Sequence, residues 1–159
     1  MWLSNQDESD PALIPLSDVT YLPFMAEALI QSRTVAFSME EVRKKLTASV
    51  AGRGLVPAAV HDLQPLLVQH GSFVKGEYAA FDVGHVGPIK EILEVYPDII
   101  SLLPGRICAS GRDGHTVLTF IRPSVLARHA RLPAKHRKLI ETACRDFEQR
   151  LSRLLNELG

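Results

Sequence analysis

Apolar side chains recur at three- and four-residue spacing in several segments, and short β-branched or aromatic runs separate these segments. The spacing predicts a first helix from Asp18 to Ser32. Thr34 to Phe37 is β-branched and aromatic, which predicts a brief strand. Ser38 and Glu41 then form the pattern of a capping box, in which each residue's side chain bonds the other's backbone amide. A second helix is therefore predicted from Ser38 to about Val50, closed by the glycines at 52 and 54.

A third helix is predicted from Val56-Pro57 to Gly71, because proline is tolerated in the first turn of a helix. Pro65 lies in the middle of this segment and predicts a kink or two short helices. Beyond it, the strand-like runs 73–74 and 78–83 flank Lys75-Gly76-Glu77, which predicts a β-hairpin.

The order of helix, short strand, capped helix, helix and hairpin resembles a winged-helix domain over residues 34–83. Three motifs carry the resemblance: TVAFSMEEV at 34–42, LQPLL at 63–67, and FVKGEYAAF at 73–81 as the wing. The resemblance implies that the helix over 57–70 is a recognition helix and that the wing contacts the backbone or the minor groove of DNA. The 57–70 segment contains no lysine or arginine, however, and cations supply much of the affinity for DNA.

The second half of the chain predicts helices, a hairpin and a long final helix. Two short helices are expected over 88–96 and 98–103, separated at Pro97. Strand-like runs at 106–110 and 116–121 flank Asp113-Gly114, a dipeptide that favours a tight turn. One or two helical turns follow over 123–131, and the last helix starts at about Pro133 and continues almost to Gly159.

The last helix carries apolar residues at alternating spacings of four and three, a short heptad stripe. These residues are Ile140, Cys144, Phe147, Leu151, Leu154 and Leu158. Such a stripe can pair with a second copy of the chain to form a homodimer, or it can pack on its own domain. The pattern does not decide between them, because it covers fewer than three or four heptads.

Together these elements predict an α+β protein of mostly helical content. Residues 1–17 are predicted to form a flexible arm. Residues 18–84 are predicted to form the winged-helix-like portion, and residues 85–159 a helix–hairpin–helix portion that ends in the long helix. The two portions are expected to share one core or to dock closely.

The composition is that of a globular protein with no membrane span. The chain has 159 residues, 46% of them hydrophobic, which is enough for a core. The longest strongly apolar stretch, 99–103, is far shorter than the ~20 residues of a membrane helix. The acidic start does not match a secretory signal. Cys108 and Cys144 are too few and too far apart for a disulfide scaffold or a zinc pattern, so a cytoplasmic protein with reduced thiols is expected.

Charge is balanced overall but divided along the chain. Residues 1–105 carry 7 Lys or Arg and 13 Asp or Glu, whereas residues 106–159 carry 11 and 5. The densest cations form a basic cluster of Arg128, Arg131, Lys135, Arg137 and Lys138. Such a cluster can dock on an acidic protein surface or a nucleic-acid backbone, or it can be an ordinary solvated face.

No residue pattern indicates catalysis, a cofactor or a metal. The six histidines lack metal-ligand spacing. Ser110, Asp113 and His115 lie together in sequence, but neighbours at a hairpin tip rarely form a triad. Arg106 lies two residues from Cys108, where its charge could lower the pKa of the thiol, but strand alternation places Ile107 and Cys108 on opposite faces and the sequence does not show which face is exposed.

Three functions follow in order of preference. The first is a non-enzymatic interaction or regulatory module that docks through the basic cluster and can dimerise through its last helix. The second is a winged-helix DNA-binding regulator. The third is a small-molecule enzyme or sensor that uses His85 and the 110–115 turn, a hypothesis that a pocket containing His85, Cys108 or His115 would support.

Overall fold

The computed structural model of the chain describes residues 29–158, which form strands, α-helices and two 3-10 helices. The strands are β1 (Ile30–Val35), β2 (Val56–Asp62), β3 (Glu77–Gly84), β4 (Gly105–Arg112) and β5 (His115–Ile121). The α-helices are α1 (Met39–Val50), α2 (Leu63–Gln69), α3 (Val86–Val95), α4 (Pro123–His129) and α5 (Arg137–Glu157). The 3-10 helices are Ala51–Arg53 and Pro97–Leu102.

The strands form one antiparallel sheet in the order β1-β5-β4-β3-β2. Strands from both predicted portions, 18–84 and 85–159, lie in this sheet and share its core. Side chains alternate between the two faces, as the pleat requires. In β4, for example, Ile107 and Ala109 are buried, whereas Arg106 and Cys108 lie on the opposite face and are exposed.

Helices α1 and α5 cover one face of the sheet. Apolar residues of α1, β3, β4, β5 and α5 form a single buried cluster there. Leu46, Leu151 and Leu154 are among its least exposed members, at 0%, 1% and 0%. Because apolar burial is the main favourable term in folding, this cluster determines the position of α5 on the sheet.

A second, smaller apolar cluster lies beside the first. It contains Ile92 of α3, Ile99 of the 3-10 helix, and Ala127, Leu132 and Ile140 from the α4–α5 region. Leu93, Tyr96, Leu103, Ala143 and Cys144 pack against it while partly buried. Helix α5 therefore contributes to both clusters, through different residues.

The predicted layout of a winged-helix portion and a helix–hairpin–helix portion is wrong. Residues 29–158 form a single five-stranded antiparallel sheet with helices packed on it. Residues 73–74 are not a strand, and β3 pairs with β2 and β4 instead of forming a wing. The local turn residues of 75–77 were compatible with a hairpin, but the long-range pairing of β3 decides the fold.

The predicted recognition helix over 57–70 is also wrong. Its first half is the edge strand β2, and only Leu63–Gln69 is helical. Pro57 is compatible with an edge strand because it leaves no unpaired donor inside the sheet. Pro65 is the third residue of α2, so its missing amide lies in the first turn, where helices lack internal bonds anyway.

Several local predictions are confirmed. Ser38 and Glu41 form the capping box at the start of α1. Asp113 and Gly114 both have positive φ in the tight turn between β4 and β5, the geometry that favours Asp-Gly in a hairpin. Two short helices, α3 and the second 3-10 helix, meet at Tyr96-Pro97.

The long final helix is present as α5, but its predicted start is wrong, because it begins at Arg137 instead of near Pro133.

Other predictions fall at the start of the chain. The arm over 1–17 and the first helix up to residue 28 lie outside the described residues. The predicted end of that helix, over residues 30–32, is wrong, because Ile30–Val35 is a strand paired with β5. Within residues 29–158, no helix combines the length and the apolar character needed to cross a membrane.

We expect Leu154→Ala to lower the free energy of unfolding by about 2–5 kcal/mol, since it removes buried carbons and leaves a cavity between α5 and the sheet. Gln149→Ala is the matched control on the exposed side of α5 and should change it by less than about 0.5 kcal/mol. Urea denaturation followed by circular dichroism measures both. Equal, small effects would contradict the described packing of α5.

Candidate ligand-binding site

A largely apolar cavity of about 570 Å³ lies where β5 ends and β4 begins, between the two apolar clusters. It extends around the end of the sheet, because its lining includes residues from both faces. The apolar lining comes mainly from α3, the second 3-10 helix, β5 and α5, and includes Ile89, Ile92, Leu103, Phe120, Ile121, Leu126, Ala143 and Phe147. The polar residues of the lining are few: His85, Ser101, Arg106, Cys108, Thr119 and Cys144.

His85 is the buried polar residue of this lining. It lies between β3 and α3 and is 8% exposed. Its ring stacks on Phe147 with a centroid distance of 6.0 Å, and its Nε2 lies 3.5 Å from Oδ2 of Asp146. Its other nitrogen, Nδ1, is buried and has no hydrogen-bond partner among residues 29–158. Buried polar atoms are nearly always bonded, so this orphaned nitrogen needs an explanation.

The surroundings of His85 favour a neutral imidazole. Burial lowers the pKa of His85, the nearby positive charge of Arg150 acts in the same direction, and the carboxylate of Asp146 opposes them. A neutral ring carries one proton, and the carboxylate beside Nε2 favours its placement on that nitrogen. Nδ1 is then a hydrogen-bond acceptor without a donor.

Arg106 forms the charged side of the cavity. Its Nε donates to Oδ1 of Asp82 at 2.8 Å, and Nε2 of His61 lies 2.7 Å from Oδ2 of the same carboxylate. The bond from Arg106 lowers the pKa of Asp82, burial opposes this shift, and the contact with His61 lowers it further. Asp82 is only 8% exposed, so the Arg106–Asp82 pair is fixed on the sheet face that carries Cys108.

Both cysteines line the cavity as free thiols. Cys108 is partly exposed, yet desolvation by the residues around its thiol raises its pKa, and the effect of Arg106 in lowering it is smaller. The lowered pKa that the sequence allowed for this thiol is therefore not found, because desolvation outweighs the charge of Arg106 and the carboxylate of Asp82 opposes that charge. Burial also raises the pKa of Cys144, with Glu148 and Glu141 adding to the shift. Both thiols thus stay protonated near neutral pH and are poor nucleophiles.

The basic cluster lies outside this cavity, along the α4–α5 connection. Arg137 bonds Glu141 at 3.3 Å and the carbonyl oxygen of Leu132 at 3.4 Å. The other four cations are exposed and form no ion pair with residues 29–158: Arg128, Arg131, Lys135 and Lys138. Docking of a protein or a nucleic-acid backbone on this cluster stays a prediction.

The apolar stripe of α5 packs within the chain's own clusters. Phe147, Leu151, Leu154 and Leu158 belong to the main core, and Ile140 belongs to the second cluster with Cys144 packed against it. Of the two arrangements that the pattern allowed, packing on the same domain is the one this structure contains. Whether the protein forms a homodimer stays a prediction.

The histidines and the hairpin turn do not assemble into one site. His85 and Cys108 line the cavity, whereas His115 is exposed at the start of β5, and its ring contacts the carbonyl oxygen of Asp113. Ser110 and His115 are not among the cavity residues. Among residues 29–158, no group of three His, Cys, Asp or Glu side chains is arranged to hold a metal ion.

The sequence singled out His85 but did not indicate the residues that enclose it. Phe147 and Cys144 looked like parts of a heptad stripe, and Ile92 and Leu103 like the faces of two short helices. The available signal was the run of prolines at 88, 97 and 104 among apolar residues. It predicts short, irregular helices, which leave gaps more readily than one long helix does.

The comparisons with known proteins agree with this fold. Residues 31–158 match the family described as "Domain of unknown function DUF302", and the chain belongs to this family. A crystal structure of an uncharacterised conserved DUF302 protein from Bacillus stearothermophilus is similar to it, with a TM-score of 0.73 and 18% sequence identity. The similarity covers 82% of this chain and 98% of that one. No protein with a curated description matches the chain.

The family match overturns the winged-helix resemblance. It extends across both predicted portions and fits the sheet described above, and neither the family nor the similar crystal structure indicates a winged helix. The interpretation of the 57–70 segment as a DNA-recognition helix rested on that resemblance and is wrong for the same reason.

We expect acidification to destabilise the protein through His85. The pKa of His85 is lower in the native chain than in the unfolded chain, where it is about 6.5. As the pH falls through that value, the unfolded chain therefore binds a proton more readily than the native chain does. The contribution of His85 to stability is full above about pH 6.5 and declines below it. Denaturant titrations from pH 7.5 to 5 measure the decline. His85→Leu should reduce it and should retain or raise stability at pH 7.5, because it removes an unpaired polar atom.

His115→Gln is the control, since His115 is exposed at the hairpin. Its pH profile should match the wild type. An unchanged profile in His85→Leu would contradict the described environment of His85.

Proposed function

We propose that this domain binds a small apolar molecule in the cavity and acts as a non-enzymatic sensor or carrier. One observation carries the proposal: a sizeable apolar cavity is lined by a buried histidine whose Nδ1 has no partner among the described residues. A cavity of about 570 Å³ has the size of a small-molecule site, and such sites are mainly apolar with a few polar groups that orient the ligand.

The lining indicates the chemistry of the ligand. Aliphatic and aromatic side chains from α3, β5 and α5 favour an apolar body. A neutral His85 with its proton on Nε2 can accept a hydrogen bond at Nδ1. Nδ1 is buried, so the proposal includes a turn of the ring on binding that brings this atom to a hydroxyl or N–H group of the ligand. The ligand class proposed is therefore an apolar molecule with one hydrogen-bond donor, such as an alkylphenol.

The same groups favour binding over covalent catalysis. A nucleophilic cysteine needs a lowered pKa, whereas the pKa values of Cys108 and Cys144 are raised. The carboxylate of Asp82 engages Arg106 and His61, so it is held in a charge pair and its pKa is lowered. A domain of this kind fits the broader interpretation of a regulatory module, and its free thiols fit a reducing cytoplasm.

We expect 4-butylphenol to bind the wild-type chain with saturation, and Ala143→Phe to weaken that binding at least about tenfold. Ala143 lines the cavity from α5, so a phenyl ring at this position would occupy the space that the ligand needs. Isothermal titration calorimetry measures the affinity, and thermal unfolding confirms that the variant is folded.

Ala134→Phe is the matched control. Ala134 is exposed in the α4–α5 connection and is not part of the cavity lining, so this variant should bind like the wild type. Equal affinity in all three proteins, or no saturable binding of 4-butylphenol or of other apolar donors of its size, would contradict the proposed function.

A further inference from the structure

We propose a second binding site, for a phosphate-like oxyanion, in a polar hollow between α4 and α5. The hollow has a volume of about 470 Å³. Its lining is polar throughout: Arg122, Ser124, Arg128, Glu141, Arg145, Glu148, Gln149, Ser152, Arg153 and Asn156. Four arginines and two glutamates give it a net formal charge of +2. The site is independent of the proposed function in the apolar cavity.

The spacing of α5 brings two of the arginines to one face. Arg145, Gln149 and Arg153 follow each other at four-residue intervals and therefore lie one above the other on the helix surface. Ala143, Cys144 and Phe147, which line the apolar cavity, lie on roughly the opposite side of α5, since each residue turns about 100°. One helix thus separates the two sites.

A clasp at Glu148 holds α4 against α5. Arg122 donates from Nε to Oε1 of Glu148 at 2.9 Å, and the backbone amide of Ser124 donates to Oε2 at 3.1 Å. Burial acts to raise the pKa of Glu148, but the bonds from Ser124 and Arg122 together lower it, so the carboxylate stays ionised. Arg128, one turn after Ser124 along α4, thereby faces the hollow from the other helix.

The two glutamates do not neutralise the remaining arginines. Glu148 is engaged by the clasp, and Glu141 bonds Arg137 at 3.3 Å. Arg145 donates to the hydroxyl of Thr142 at 3.3 Å, a neutral partner. Within residues 29–158, Arg128, Arg145 and Arg153 have no carboxylate partner, and all three are exposed. Three guanidinium groups around one hollow, none of them paired with a carboxylate, repel one another, and a bound anion would offset this repulsion.

The donor set selects the class of anion. Guanidinium groups bind phosphate and sulfate through paired N–H donors, and their geometry suits a tetrahedral group with several oxygens. Gln149 and Asn156 add neutral amide donors to the same lining, whereas the hydroxyl of Ser152 already donates to Oε1 of Gln31 at 2.9 Å. The nearby cations Arg131, Lys135 and Lys138 would raise the local concentration of anions without contacting them. The phosphate can be free, part of a small metabolite, or a lipid headgroup.

The test uses the full chain with inorganic phosphate and pyrophosphate as probes. Arginine side-chain Nε–Hε signals in ¹H–¹⁵N spectra should shift with saturation at constant ionic strength, and the largest shifts should belong to Arg128, Arg145 and Arg153. Arg145→Gln and Arg153→Gln should each weaken the affinity for pyrophosphate about tenfold. Arg131→Gln removes the same charge outside the hollow and should weaken it less than about twofold.

Two further arms separate the possible sources and outcomes. Vesicles of phosphatidylcholine with phosphatidic acid that sediment with the wild type and with Arg131→Gln, but not with Arg153→Gln, indicate a lipid headgroup in the hollow, whereas pyrophosphate binding without vesicle binding indicates a soluble ligand. If Arg131→Gln and Arg153→Gln weaken the affinity for pyrophosphate equally, the binding depends on the overall positive charge and not on the hollow, and the proposal is overturned. Absence of saturable shifts with either probe would also overturn it. Neither result affects the alkylphenol test.

Discussion

The packing of α5 across the sheet is the constraint on which the other features depend. Leu151, Leu154 and Leu155 are almost completely buried against β-strand side chains, and this fixes the rotation of the helix about its axis. Once that rotation is fixed, Ala143 and Phe147 line the apolar cavity and Arg145 and Arg153 line the polar hollow. A single amphipathic helix thus contributes to the core and to both proposed sites.

The sequence predicted local structure much better than long-range pairing. The capping box at Ser38, the turn at Asp113-Gly114 and the last helix follow from short-range rules and are present. The sheet order could not be predicted, because β1 pairs with β5, which is more than 80 residues away. Strand pairing depends on burial and on neighbouring strands, so the helical periodicity at 57–70 was misleading where β2 forms the sheet edge.

The candidate site was less predictable than the fold. His85 was considered as part of a ligand site, but its burial, its stacking on Phe147 and its unpaired Nδ1 arise from contacts between segments about 60 residues apart. The same holds for Arg106, whose effect on Cys108 is weakened by its pairing with Asp82 on another strand. The basic cluster was visible in the sequence, yet only Arg128 of its members lines the arginine-rich hollow.

The central claim is that a ligand in the apolar cavity satisfies the orphaned nitrogen of His85. Long-range ¹H–¹⁵N spectra of the histidine rings, recorded near pH 7.5 with and without saturating 4-butylphenol, test it most directly. The account predicts a neutral ring with its proton on Nε2, and a change of the Nδ1 resonance towards that of a hydrogen-bonded acceptor when the ligand is added. A ring protonated on Nδ1, or an Nδ1 resonance that stays constant at saturation, would contradict it.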